Sequence, residues 1–348
     1  MSKITESKTG KLILSIVVIA LVVLYTVMSE HNIIFARNKY VFLLLCMIGI
    51  YSIVTSGVDL LFGYTGQISF GHAGFFCIGA YGSALLSHET FGIAQLGLKP
   101  LPPVLSVILI GLFAALVGAL LAFPASKLVV HFLSLLTIAF NQIMVILIMT
   151  FAGVTQGTSG LNRVPPIKLG PLDFTAIKSK YMYVFLVLFV LVLMLILKQN
   201  IVHSRLGRSM IAIRENPTAA NGCGVDVKRV KIISFAISAF YVGIAGALYA
   251  HMNAFIGMDS IQQSQSVVFI TMLLFGGSGN LIGPILGAAI ITLVQEGFQA
   301  LQDYRMLIYG IFLLLVILFQ PKGVVGLGQT IGGLFSGKGG TENGSSGS

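Results

Sequence analysis

From Leu128 to Phe151 the chain carries no charged residue, and that stretch restricts the fold more than any other feature. A helix needs about 20 mostly apolar residues to cross the hydrocarbon core of a bilayer. Further apolar segments lie at residues 11–29, 40–57, 67–87, 101–123, 181–198, 230–254, 265–278, 283–301 and 305–320. With 128–151 they make about ten membrane segments. Only 9% of the residues are charged and 56% are hydrophobic, whereas soluble domains carry about 25% charge. The expected fold is an all-α polytopic membrane protein, with one membrane domain over residues 1–326. Residues 327–348 read as a flexible Gly- and Ser-rich tail.

Charge gives the orientation. With the N-terminus in the cytoplasm and alternating crossings, 13 of the 21 basic residues fall inside and 8 outside, and the C-terminus also returns inside. That is the sign expected when basic loops stay in the cytoplasm. Residues Lys198 to Lys231 alone hold seven basic residues and dominate the assignment. The net charge of +10 therefore reads as orientation and lipid-headgroup contact, not as nucleic-acid binding.

One membrane segment is broken. Gly63 to Tyr81 reads GYTGQISFGHAGFFCIGAY, with Gln67, Ser69 and His72 among the glycines. Lipid offers no partner to a stray backbone group, so such a break must be buried in protein or line a wet cavity. Gly66, Gln67, Ser69, Phe70, Gly71, His72 and Gly74 are thus the candidate pathway residues. Read singly, each polar group suits tight helix packing as well as solute contact, and His72 has no second ligand nearby that suggests a metal. A short echo follows: Phe62-Gly63-x-x-Gly66-Gln67-Ile68 returns as Phe275-Gly276-x-x-Gly279-Asn280-Leu281. Repeats together with broken helices are a transporter signature. Segment 265–278 is too short to cross alone and reads as half of a broken helix. Glu296, deep in segment 283–301, joins the pathway candidates because an intramembrane carboxylate is costly unless used. Asp59 sits close to the cytoplasmic end, where an inside Arg or Lys can pair with it.

The inside loop, residues 199–229, looks partly helical. Met210, Ile211 and Ile213 form an apolar stripe beside Arg208 and Arg214. Pro217 suits the first turn of a second short helix running into Ala219 and Ala220, and Gly222 and Gly224 suit its end. Such an amphipathic piece lies on lipid or docks into a partner's groove. Thr218-Ala219-Ala220-x-x-x-Gly224 fits the second half of the Glu-Ala-Ala-x-x-x-Gly coupling motif of ABC import permeases, with Thr218 in place of Glu.

The glycine-broken segment, the loop GRSMIAIRENPTAANGCGVDVKRVK and FGGSGNLIGPILGAAII together resemble the permease subunit of branched-chain amino acid ABC importers, of the LivM type. The resemblance runs from about Lys39 to Gly326. It implies a bacterial inner-membrane heterodimer with a second permease, two cytoplasmic ATPases and a periplasmic binding protein. A small amino acid (Leu, Ile or Val) would be the solute. It further implies that Arg208, Arg214, Glu215, Asn216, Pro217, Ala219, Ala220 and Gly224 form the coupling region, and that Gly66–Gly74 lie by the pathway. Urea and short-amide permeases carry similar sequences, and an ion-coupled secondary transporter using Glu296 is the rival outside the family.

No enzymatic constellation stands out. Gly332-x-x-x-x-Gly337-Lys338 imitates a phosphate loop, but Gly339 stands where Ser or Thr must hold magnesium and no strand precedes it. ATP and its magnesium are therefore expected on partner subunits, with no cofactor on this chain. Cys46, Cys77 and Cys223 have neither zinc nor redox spacing.

Overall fold

The computed structural model describes residues 39–297, except residue 98 and stretches 127–129, 170–171 and 175–179, together with residues 310 and 314. Expected segment 11–29, segment 305–320 apart from residues 310 and 314, both termini and the 327–348 tail lie outside the described residues.

The chain runs α1 Lys39–Thr65, α2 His72–Ser87, α3 Pro103–Ala125, α4 Val130–Thr150, a short α5 Ala152–Thr155, and strands β1 Leu161–Asn162, β2 Ile167–Leu169 and β3 Leu172–Phe174. It continues as α6 Lys180–His203, α7 Arg205–Glu215, α8 Pro217–Gly222, α9 Val227–Asn253, β4 Phe255–Ile256, α10 Gln263–Gly276 and α11 Gly283–Gly297. Five helices, α1, α3, α4, α6 and α9, are long and apolar enough to span a bilayer. Helices α10 and α11 are shorter apolar helices. At ~1.5 Å per residue, the 14 residues of α10 and the 16 of α2 fall short of a ~30 Å hydrocarbon core.

Helix α9 is the central element, packed against α3, α2 and α1. Lipid supplies no hydrophobic drive for helices to associate, so small residues that let backbones touch must do it. They do so here. A methyl group on Gly79 of α2 would lie 2.0 Å from the Gly243 carbonyl oxygen, and one on Gly246 would lie 2.1 Å from that of Phe76. The α10–α11 hairpin closes in the same way, with Gly276 against Gly283 and Gly287 against Met272. Outward, α3, α4 and α6 present Leu112, Phe113, Leu116, Leu135, Ile146, Phe189 and Leu193 as an exposed apolar flank.

The helix ends gather in two groups. At one, β1 pairs antiparallel with β4, His88 Nε2 bonds the Asn162 carbonyl at 3.0 Å, and His251 Nδ1 bonds that of Pro165 at 2.7 Å. At the other, the ends of α1, α6 and α10 meet α7.

The structure corrects several sequence boundaries. The third segment does not begin at residue 67: residues 66–71 are non-helical and α2 starts at His72. Helix α1 runs on to Thr65 and α6 to His203, beyond the expected 57 and 198. The stretch between α4 and α6 carries short strands within the helical fold. Ile211 is exposed and leaves the apolar stripe of α7, which is instead Gly207, Met210 and Ile213.

Candidate functional site

The break between α1 and α2 is built by a left-handed glycine. Gly66 has φ +70°, and its N–H donates to the Phe62 carbonyl at 3.1 Å, closing α1 with the single-bond glycine cap. Beyond it the chain stays out of helix up to His72, and burial alternates from residue to residue. Gln67, Ser69 and Gly71 are buried, whereas Gly66, Ile68 and Phe70 are half-exposed.

The buried side is tied down within the chain. Gln67 Nε2 donates to Thr65 Oγ1 at 3.0 Å, and the Ser69 hydroxyl accepts from the Gly71 N–H at 3.3 Å. His72 bonds the Ser69 carbonyl through Nδ1 and Ser238 Oγ of α9 through Nε2, each at 3.0 Å. It is therefore a packing histidine with both ring nitrogens engaged. Gly71 and Gly74 are small because α4 lies against them: a methyl on Gly71 would sit 2.9 Å from the Thr137 carbonyl oxygen, and one on Gly74 2.8 Å from the Phe140 ring.

Polar residues that the sequence reading missed surround the break. The Phe70 N–H donates to Thr137 Oγ1 at 3.0 Å, and Gln263 Nε2 donates to the Phe70 carbonyl at 2.9 Å. Asn141 Nδ2 donates to Gln263 Oε1 at 2.9 Å. The Ala73 N–H donates to Ser266 Oγ at 2.9 Å. The N-terminal turn of α10 thus meets the start of α2 inside the bundle. Asn141 Oδ1 is buried with no partner. The available signal was a polar residue inside an apolar span, which Asn141 and Thr137 both satisfy. Glu296 is half-buried near the end of α11, a helix that packs chiefly on α1 and α10 rather than on the break.

At the end of α1 the charges converge. Asp59 and Lys198, both buried, pair at 2.8 Å. Asp59 Oδ1 also accepts the Gly279 N–H at 2.7 Å, and Lys198 Nζ donates to the Asn280 carbonyl at 3.1 Å. Arg214 of α7 donates to the Gly63 carbonyl. The expected partner of Asp59 is thereby Lys198, and the two echoed glycine turns touch one another here.

The loop itself forms two capped helices. Ser204 accepts from the Gly207 N–H to cap α7. Asn216 Oδ1 accepts from the N–H groups of Thr218 and Ala219, each at 3.0 Å, with Pro217 in the first turn of α8. Gly224, φ +83°, ends the unit. Met210, Ile213 and Ala220 are buried, while Arg208, Arg214, Glu215, Asn216, Pro217, Ala219 and Gly224 are exposed. Arg208 bonds the His203 carbonyl at 3.3 Å.

At the opposite end lies a cavity of about 410 Å³, lined by His88, Glu89, Thr90, Arg163, Pro165 and His251 among others. Among the described residues no cluster of three His, Cys, Asp or Glu could hold a metal.

A family model described as the branched-chain amino acid transport system / permease component matches residues 40–317. The chain belongs to this family. It is 29% identical over 296 residues to the high-affinity branched-chain amino acid transport system permease protein LivM of Escherichia coli K12, covering 79% of this chain and 68% of that one. It is 22% identical over 323 residues to a probable LivM of Methanocaldococcus jannaschii, covering 81% and 92%. It is 24% identical over 294 residues to the E. coli K12 permease protein LivH, covering 79% and 91%. No solved structure matches. In this permease family the matched region takes in the break, the ion pair, the capped loop and the α10–α11 hairpin together.

Proposed function

We propose that the chain is the permease subunit of an ABC importer for branched-chain amino acids in a bacterial inner membrane. A binding protein delivers Leu, Ile or Val to the end holding the 410 Å³ cavity. A second, homologous permease completes the pathway. Two ATPase subunits carrying ATP and magnesium sit on α7 and α8 at the cytoplasmic end. The observation that carries this reading is the loop geometry: two short capped helices present an exposed surface at Pro217–Ala219, and Arg214 ties that unit to the Gly63 carbonyl beside the break.

The route lies along the break. A zwitterion is expensive in hydrocarbon, so the pathway must be polar and opened only in part of the cycle. Gln67, Ser69, Gly71, His72 and Gly74 hold the break in shape from behind, and Gly66, Ile68 and Phe70 form the side that the solute passes. ATP-driven movement of α7 and α8 changes the contacts of this side between two states. Equal affinity in both would shift nothing. Glu296, near the far end of α11 and away from the break, is assigned to the outer mouth.

The test is co-purification with the subunits encoded beside it, followed by ATPase assays and uptake in proteoliposomes with loaded binding protein. Leucine-stimulated hydrolysis with leucine uptake is the expected result. Uptake by the purified chain without any ATPase overturns the reading, and uptake of urea or a short amide in place of leucine changes its solute.

A further inference from the structure

We propose that Asp59 and Lys198 are positioning residues that clamp the two glycine turns, Gly63–Gly66 and Gly276–Gly279, into one body moved by α7. The proposal rests on the importer reading for its functional consequence, though not for its geometry.

Four elements meet at one buried point. Asp59 is on α1 and Lys198 on α6, at 0% and 1% side-chain exposure. Each uses its remaining capacity on the turn after α10: Asp59 Oδ1 takes the Gly279 N–H and Lys198 Nζ the Asn280 carbonyl. That turn has φ +103° at Gly277 and +76° at Gly279, and the other has +70° at Gly66. Gly63 has no room for a side chain, since a methyl there would lie 2.0 Å from Asp59 Oδ1 and 2.8 Å from the Gly279 nitrogen. Arg214 then spans both turns. Its head donates to the Gly63 carbonyl, its Cγ lies 3.4 Å from a methyl placed on Gly66, and its terminal nitrogen 3.7 Å from one on Gly279.

The chemistry explains why the joint is ionic. A buried pair is retained only where geometry is good and further hydrogen bonds support both partners, and here each partner adds one bond to the turn backbone. Apolar packing would hold the helices together but would not fix the backbone at Gly63, Gly66, Gly277 and Gly279, which have no side chains to pack. A carboxylate and an ammonium bonding directly to the turn backbone do fix them. Movement of α7 through Arg214 then carries both turns together: one leads into the non-helical break, the other joins the α10–α11 hairpin, whose Gln263 bonds Phe70 at the far end of that break.

Two measurements test this. In the reconstituted complex, the neutral pair Asp59→Asn with Lys198→Met keeps the acceptor for Gly279 and leaves no uncompensated charge, so it folds and assembles. Leucine moved per ATP hydrolysed should fall about tenfold while stimulated hydrolysis persists; a ratio equal to that of the unaltered protein overturns the clamp. If the unaltered complex takes up no leucine, the importer reading fails instead. Hydrogen exchange on the purified full chain then decides the clamp alone. Arg214→Met should speed exchange across both 60–67 and 277–281, and acceleration confined to 60–67 overturns it.

Discussion

Replacing Gly79 by alanine should be among the most damaging single-methyl changes the described chain can suffer. The added carbon would lie 2.0 Å from the Gly243 carbonyl oxygen and 2.8 Å from its carbon. Ordinary contact begins near 3.4 Å, so α2 and α9 must separate by more than about 1 Å. No rotamer change relieves the clash, because both obstructing atoms are backbone. Overpacking typically costs about 1–3 kcal/mol, and a rigid backbone obstacle places this case near ~3 kcal/mol. At ~1.36 kcal/mol per tenfold, the folded-to-unfolded ratio falls roughly 150-fold. Separation also stretches the 3.0 Å bond from His72 to Ser238, so the break loosens with the interface. Gly153→Ala is the control, since nothing lies within 4 Å of the methyl it would carry. Titration from micelles into denaturing detergent, followed by circular dichroism, compares the two. Gly246→Ala strains the same interface through Phe76, so the double variant should cost less than the sum. Equal stability of Gly79→Ala and Gly153→Ala, or strict additivity with Gly246→Ala, would refute the close backbone contact.

Lys198→Met leaves Asp59 charged and buried without its partner, and removing one member of such a pair costs about 3–5 kcal/mol; folded yield should collapse and return when Asp59→Asn is added. Gly66→Ala places a side chain at φ +70°, costing about 1–2 kcal/mol with transport reduced, as measured by unfolding and uptake together. Asn216→Ala removes the acceptor shared by two N–H groups and costs about 1 kcal/mol; amide exchange within 217–222 should rise severalfold while the spanning helices stay protected. Of the three cysteines Cys46 and Cys77 are buried and Cys223 is exposed. An impermeant maleimide should therefore label one site, from the cytoplasmic side only, and labelling of intact cells would reject the orientation.

The break and the loop were legible because their chemistry is local. Gly66, Gly71 and Gly74 announce a backbone that leaves the helix or is closely approached, and Asn216-Pro217 with Gly224 spells a helix start and stop. The start of α2 was not legible: Gln67-Ile68-Ser69-Phe70 carries no residue that forbids a helix, and its non-helical form is held by bonds to Thr137, Ser134 and Gln263, which lie elsewhere in the chain. The partner of Asp59 was open for the same reason, since Lys198 stands 139 positions away and periodicity says nothing about such pairs. Ile211 misled because three apolar neighbours on a short helix cannot all share one face; at ~100° per residue the buried stripe keeps Met210 and Ile213 and turns Ile211 out. The echo showed in sequence as a repeated glycine spacing, but that its two copies touch one another is information only the fold carries.

On the importer reading, the two sides of the non-helical break divide two tasks that one side could not combine. A surface that binds solute in turn with water must be free to change partners, whereas a backbone held outside a helix must keep its partners throughout. The sequence resolves this by alternation: Gln67 and Ser69 point inward to Thr65 and Gly71, and His72 secures the turn to α9. Gly66, Ile68 and Phe70 point the other way and are half-exposed. An irregular, half-exposed stretch is not tolerated against lipid, so that side must meet protein or a water-filled passage. A second permease facing it supplies both, one wall of the passage from each subunit, and Ile68 and Phe70 give an apolar amino-acid side chain something to pass without a deep well to hold it.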